Sequence, residues 1–110
     1  MDTSKLPTDF EFLPDMYEAD YFPNSEVDKV KAAIQKVVTY LEKGETNTKK
    51  IQKKLDDMTW TINELQDVFA DHDSEIETGG RESIFETIDR ILIHFKVPID
   101  STEALRNRDW

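Results

Sequence analysis

The chain has 110 residues, of which 37% are hydrophobic and 35% charged, with a formal net charge of −10 and no cysteine. This size suits one domain with a modest core, and the lack of cysteine excludes disulfides, thiolate metal sites and a cysteine nucleophile. An acidic chain is poorly suited to nucleic acid, whose phosphates need a basic surface. No apolar leader and no stretch of about 20 apolar residues is visible, so we expect a cytoplasmic protein without a membrane span.

An aromatic-rich segment, residues 1–23, precedes the regular helical pattern, and we call it the arm. Pro14 predicts a short helical turn over residues 15–19, because Pro suits the first helical position. Pro23 favours an extended conformation for the residue before it. We expect the arm to pack on the helices and to cover a groove that they leave open. Its aromatic residues are Phe10, Phe12, Tyr17, Tyr21 and Phe22.

Two segments then carry apolar residues at three- and four-residue steps, the spacing of amphipathic helices. The first helix is predicted over residues 25–43 and ends at Gly44, a favourable residue for a helix end. Its buried face consists of Val27, Val30, Ile34, Val37, Val38 and Leu41. The second helix is predicted over residues 47–72. Its buried seam consists of Ile51, Leu55, Met58, Ile62, Leu65 and Phe69.

A third helix is predicted over residues 75–96, with two candidate starts. Ser74 and Glu77 form a capping-box pair, which favours a start at residue 75. Gly79 and Gly80 favour a start at Arg81, since each glycine weakens a helix interior by about 1 kcal/mol. The buried face of this helix consists of Ile84, Ile88, Ile91, Leu92 and Phe95.

The pattern predicts an all-α fold: a three-helix antiparallel bundle with the N-terminal aromatic arm and a short C-terminal helical turn. The turn is expected at residues 102–106, and all elements are expected to form a single domain over residues 1–110. A large aromatic residue on a polar tail is unusual, so we also expect Trp110 to dock onto the bundle.

The chain also resembles a known family. The letters FLPDMYE at residues 12–18, DYFP at residues 20–23 and VDK at residues 27–29 look like the opening of the bacterial family called domain of unknown function 5713. Shorter blocks at residues 63–66, 74–78 and 108–110 are similar to its later part. The resemblance implies a small stand-alone bacterial domain, and it brings no assigned activity and no catalytic residue.

Basic charge is concentrated in one part of the chain. Residues 29–54 hold eight Lys against Glu42 and Glu45, a net charge of +6, whereas the rest holds six basic and 22 acidic residues, a net charge of −16. Four lysines crowd the first turns of the second helix, against the preference of the helix dipole. They form either a solvated helix end or a site for an anion or acidic partner, such as a second copy. These lysines are Lys49, Lys50, Lys53 and Lys54.

Trp60 is the second unusual feature of the predicted second helix. At about 100° per residue it lies opposite the apolar seam. Glu64, Asp67 and Asp71 follow it on the same outer face, at i+4, i+7 and i+11. A large aromatic side chain that faces water is uncommon unless something covers it. The cover is the arm, a second copy or a foreign protein, and we favour the arm because it is tethered and needs a surface.

Two carboxylate pairs raise the alternative of a metal-dependent helical hydrolase, in which such pairs converge on Mg²⁺. Glu42 with Glu45 and Glu64 with Asp67 have the required spacing. The second pair, however, lies roughly 25 Å along the predicted helix from the first, at 1.5 Å per residue. Glu64 and Asp67 also point away from the apolar seam.

Two further patterns are weaker. Residues 71–82 match the oxygen spacing of a calcium loop, but Ile76 stands where that loop needs a glycine. His72 and His94 are the two histidines, and neither has a catalytic partner at a suggestive spacing.

The sequence therefore indicates no catalytic residue, no cofactor and no metal, and it leaves open whether the protein is an enzyme. The leading interpretation is a non-catalytic protein-binding or regulatory module, with a homodimer as one form of it. The alternative is a metal-dependent hydrolase that uses surface carboxylates. The candidate interaction surface consists of Trp60, Glu64, Asp67, Asp71, Lys49, Lys50, Lys53 and Lys54.

Overall fold

The computed structural model describes residues 5–7, 9–18, 22, 24–71 and 78–110, with the side chains of residues 68, 70, 71, 78 and 79 left aside. No strand occurs within these ranges, which confirms the predicted all-α fold. None of their helices has the length and apolarity that a membrane crossing requires. The helices are α1 (Pro14–Glu18), α2 (Asn24–Glu42), α3 (Thr48–Asp71), α4 (Thr78–His94) and α5 (Ser101–Ala104).

Helices α2 and α3 run antiparallel and pack their apolar faces together. Lys54, near the start of α3, lies over the ring of Tyr40, near the end of α2. Gly44 lies between the two helices with a φ of 91°, a left-handed conformation that glycine adopts without strain. The predicted apolar face of α2 is buried, and the seam of α3 is buried except for the half-buried Leu65.

The described part of the arm enters the core beside α2 and α4. Leu13 and Met16 are fully buried, and Phe22 is 6% exposed. The ring of Phe22 meets the ring of Phe69 edge-on, with 6.3 Å between the centroids. These contacts place apolar residues of the arm against the C-terminal end of α3 and the N-terminal part of α4.

The close approach of the arm explains why a glycine, Gly80, lies inside α4. The helix begins at Thr78, between the two predicted starts. A Cβ atom at residue 80 would lie 3.1 Å from Cζ of Phe22 and 3.3 Å from Cε of Met16. The arm thus packs against bare helix backbone, and this contact offsets a helix-propensity cost of about 1 kcal/mol. The predicted capping pair, Ser74 and Glu77, lies outside the described residues.

Leu13 fixes the entry of the arm. Its φ of 53° lies in the left-handed region, which is uncommon for a residue other than glycine. Its backbone N–H donates to Oγ1 of Thr87 on α4 at 3.2 Å, and its carbonyl accepts the N–H of Met16 at 3.1 Å. Both the turn and the buried side chain are therefore held against α4.

Helix α4 ends in a Schellman motif. The N–H of Val97 donates to the carbonyl of Leu92 at 2.9 Å, and the N–H of Lys96 donates to that of Ile93 at 3.1 Å. Lys96 occupies the left-handed position of this motif with a φ of 55°. Glycine is the usual residue there, because a side chain raises the energy of the left-handed conformation.

Lys96→Gly should therefore raise the free energy of unfolding by about 0.5–1 kcal/mol, the relief of strain being partly offset by greater freedom of glycine in the unfolded chain. Lys96→Ala is the matched control, since it removes the lysine side chain and keeps the strain. Urea denaturation of the three proteins measures the difference. A glycine variant no more stable than the alanine variant would contradict the strain at this position.

The C-terminal segment packs along α3, and it runs in the same direction as that helix. Helix α5 begins one residue before the predicted turn, at Ser101, with Asp100 as its N-cap. The segment that follows continues past the middle of α3. Three contacts set its path: Gln52 Nε2 to the Glu103 carbonyl at 3.1 Å, Arg106 to Asp56 at 2.8 Å, and Asn63 Nδ2 to the Asn107 carbonyl at 2.9 Å.

Trp110 closes this segment against α4. It is 6% exposed, as the sequence leads us to expect. Its ring meets Phe85 edge-on at a centroid distance of 6.4 Å. The guanidinium of Arg108 lies 5.0 Å from the Phe85 ring centroid and 5.7 Å from that of Trp110. The tail thus adds an aromatic contact to the core.

Candidate functional site

Trp60 lies on the solvent side of α3, and 56% of it is exposed. The expectation that the arm covers this ring is therefore wrong. The described arm residues pack instead beside α2 and α4, because Leu13 and Met16 find their buried contacts there. Ile93 on α4 is the other large apolar residue that is exposed within the described chain, at 68%.

Charged residues flank Trp60 along one line of α3, and we call this line the outer stripe. Its members lie within about 40° of Trp60 around the helix axis, at about 100° per residue. Asp56 lies at a similar angle, but it is half-buried and is not counted in the stripe. The exposed charges toward the N-terminus are basic and those toward the C-terminus are acidic. The outer stripe consists of Lys49, Lys53, Trp60, Glu64, Asp67 and Asp71, of which the first five are exposed and Asp71 is placed by its helix position alone.

The four lysines at the start of α3 do not converge on one site. Lys54 lies over the Tyr40 ring at 5.2 Å from its centroid, and Nζ of Lys50 lies 3.9 Å from Glu45. Lys49 and Lys53 remain on the outer stripe. Lys53 is 76% exposed and lies 3.6 Å from Asp57, also exposed, a kind of ion pair that contributes about 0–1 kcal/mol.

The N-terminus of α3 already has internal partners. Asn47 Oδ1 accepts the backbone N–H groups of Lys49 at 3.0 Å and Lys50 at 3.2 Å. This is an N-cap, which satisfies helix donors that an external anion would otherwise use. The structure therefore does not show the convergence of free N–H groups and four ammonium groups that the anion-site alternative requires, and all four lysines are exposed.

Arg106 joins the C-terminal segment to the edge of the outer stripe. It forms two hydrogen bonds to the carboxylate of Asp56, from Nη2 at 2.8 Å and from Nε at 3.2 Å. The Asp56 carboxylate, by hydrogen bond and by charge, raises the pKa of Arg106. Half of the Arg106 side chain is exposed, so the guanidinium is also accessible to solvent. The sequence does not indicate a role for Arg106, because nothing in its spacing links this residue to α3.

The first carboxylate pair of the hydrolase alternative, Glu42 and Glu45, accepts hydrogen bonds from other parts of the protein. Glu42 accepts the N–H of Leu6 at 3.2 Å. Glu45 accepts the Tyr40 hydroxyl at 3.0 Å and the backbone N–H of Thr46 at 3.1 Å. The hydrogen bond from Tyr40, followed by that from the backbone of Asn47, lowers the pKa of Glu45. Its carboxylate thus stabilises the α2–α3 connection.

The second pair, Glu64 and Asp67, lies exposed on the outer stripe, far along α3 from Glu45. Among the described residues, no three acidic or histidine side chains are grouped closely enough to hold a metal ion. The calcium-loop pattern at residues 71–82 falls mostly outside the described chain, as does His72. The Nε2 atom of His94 lies 2.8 Å from the carbonyl oxygen of Lys5. This contact connects the start of the described chain to α4.

The half-buried aromatics of the arm form a second surface. Phe10 and Phe12 meet edge-on at 5.0 Å between centroids, and Lys31 lies 5.6 Å from the Phe12 ring centroid. Tyr17 donates a hydrogen bond to Asp28. Burial, together with this hydrogen bond, raises the pKa of Tyr17 to about 12. These residues serve to attach the arm to α2, and Tyr21 lies outside the described residues.

A shallow groove between α2 and α3 adjoins the outer stripe. It has a volume of about 200 Å³. Its apolar lining comes from Ala33, Val37 and Met58, and its polar lining comes from Lys36, Lys54, Asp57 and Thr61. The groove gives the exposed face of α3 an apolar margin in addition to Trp60.

Comparison with known proteins places the chain in a family. No curated protein and no solved structure matches it. One family matches residues 7–110, which covers the arm from residue 7 onward, the three long helices and the C-terminal segment. The chain belongs to this family, which is described as a family of unknown function (DUF5713).

Proposed function

We propose that this protein is a non-catalytic protein-binding module, and that the outer stripe of α3 is its docking surface. The observation that carries the proposal is Trp60, 56% exposed in the middle of the longest helix. Tryptophan is strongly enriched among the residues that dominate binding energy in protein interfaces, since it combines a large apolar area with few rotamers to order.

The surroundings of Trp60 support the proposal. Exposed charges flank it on both sides, with Lys53 toward one end and Glu64 and Asp67 toward the other. An apolar centre within a polar rim is the usual anatomy of an interface. Separated charges of both signs also orient an incoming partner, because electrostatic complementarity fixes register and raises the association rate.

The experiment replaces Trp60 with the photoreactive residue benzoylphenylalanine and irradiates living cells that produce the full chain. We expect a cross-linked product at this position, since the docked partner lies against the ring. The same residue at Ile93 is the matched control, because Ile93 is also a large exposed apolar residue. Absence of any product at residue 60, or equal yields at both positions, would overturn the proposal.

A further inference from the structure

We propose that the partner at the outer stripe is a second copy of this chain, with its α3 antiparallel to the first and a two-fold axis passing at Trp60. This inference rests on the proposed function, namely that the outer stripe docks a protein. It goes further, because it assigns the partner, the orientation and the residue register. Symmetric pairing of one patch with itself is the commonest form of a homodimer interface.

The charge pattern supports this register. A two-fold axis at residue 60 places each residue at 60 − n opposite the residue at 60 + n of the other copy. At n = 7, Lys53 faces Asp67, and both are exposed in the structure. At n = 11, the register sets Lys49 opposite position 71, the last residue of α3. The Lys53–Asp67 pair occurs twice in the dimer, and the sequence places a further lysine–aspartate pair at n = 11.

At n = 4 the tertiary structure changes the charge that the other copy meets. By sequence alone this register sets Asp56 against Glu64, two like charges that oppose pairing. In the structure, Arg106 forms two hydrogen bonds to Asp56 and is still half exposed. The same guanidinium also bonds to Glu103 through Nη1 at 3.2 Å, so the C-terminal segment neutralises the charge of Asp56 and adds no net positive charge. Glu64 of the other copy then faces an arginine–carboxylate pair.

The opposite orientation has the wrong charges. If two α3 helices paired in parallel, Lys53 would face Lys53 and Asp67 would face Asp67, so that like charges met at both ends. Like charges across an interface suppress the wrong pairing. The polarised stripe therefore selects the antiparallel arrangement, in which two Trp60 rings meet on the axis.

The interface is small, and the pairing is accordingly weak. A helix of 24 residues is about 36 Å long. One helix face about 10 Å wide on each copy buries roughly 700 Å² in total, which belongs to the weak and transient class. Each copy also carries a net charge of −10, and the mutual repulsion is screened only beyond a Debye length of about 10 Å. We expect dimerisation at about 0.1 mM chain or above.

The test is sedimentation equilibrium of the full chain at concentrations up to about 1 mM, with charge-reversed variants. Lys53→Asp and Asp67→Lys should each weaken dimerisation at least about tenfold, because each puts like charges at two places. The double variant, K53D with D67K, should return to within about threefold of the wild type, because the reversed charges face each other again. Its net charge equals that of the wild type, so overall charge does not explain the recovery.

Arg90→Asp is the matched control, since it makes the same charge change at an exposed position of α4, off the outer stripe and its groove. It should weaken dimerisation much less than Lys53→Asp. The inference is overturned if the double variant does not recover, if Arg90→Asp has the same effect, or if the wild type stays monomeric at 1 mM. A monomeric wild type that still cross-links another protein through residue 60 leaves the docking surface standing and removes the second copy as partner. No cross-link of any kind removes both.

Discussion

Removal of residues 1–23 should lower the free energy of unfolding by several kcal/mol and leave little or no folded protein. Leu13 and Met16 are fully buried and Phe22 is 6% exposed. Each such side chain contributes about 1.5–3 kcal/mol by burial alone. Their loss also uncovers the apolar faces of α2 and α4. The total is comparable with the whole stability of a typical domain, about 5–15 kcal/mol.

Denaturant unfolding and circular dichroism of the truncated chain measure this effect. Met16→Ala in the full chain is the milder form of the same test and should cost about 2–5 kcal/mol. Glu18→Ala, at the exposed end of α1, should change stability by no more than about 0.5 kcal/mol. A truncated chain that melts within a few degrees of the full chain would show that the arm is not part of the core.

Trp110→Ala should destabilise the protein by about 3 kcal/mol or more, as for other buried aromatics. The ring is 6% exposed and packs edge-on against Phe85. The cost is reduced because Nε1 of Trp110 is buried and finds no hydrogen-bond partner among the described residues, and an unsatisfied buried donor is itself unfavourable by about 1–3 kcal/mol.

Trp60→Ala is the matched control for Trp110→Ala, since it makes the same chemical change at a ring that is 56% exposed. Its effect on monomer stability should be within about 0.5 kcal/mol, as for most surface substitutions. Thermal unfolding of both variants at low concentration gives the comparison. Equal destabilisation by the two substitutions would contradict the placement of one ring in the core and the other in solvent.

The apolar spacing of the sequence by itself determined the helical class and the three long helices. Residues from Val27 to Leu41 and from Ile51 to Phe69 repeat at three- and four-residue steps, and burying such a face requires a helix. Gly44 likewise ends a helix through its own backbone preference. These signals are local, so the predicted helices lie within three residues of those observed, over 24–42, 48–71 and 78–94.

The start of α4 was ambiguous because a contact distant in sequence, and not a local signal, decides it. The two glycines oppose a helix by intrinsic propensity. The benefit that keeps Gly80 inside the helix comes from Phe22, far away in the sequence, which packs against its backbone. No local pattern contains such a contact.

In the outer stripe, too, the sequence determines some features and the tertiary structure decides others. Sequence spacing alone places Trp60 opposite the apolar seam and sets lysines and carboxylates on either side of it. Only the tertiary structure decided that the arm leaves Trp60 uncovered, and that Lys50 and Lys54 turn toward Glu45 and Tyr40. It also decided that the C-terminal segment brings Arg106 to Asp56. These outcomes depend on which surfaces compete for the same side chains, and such competition is settled by packing between segments distant in sequence rather than by spacing within one of them.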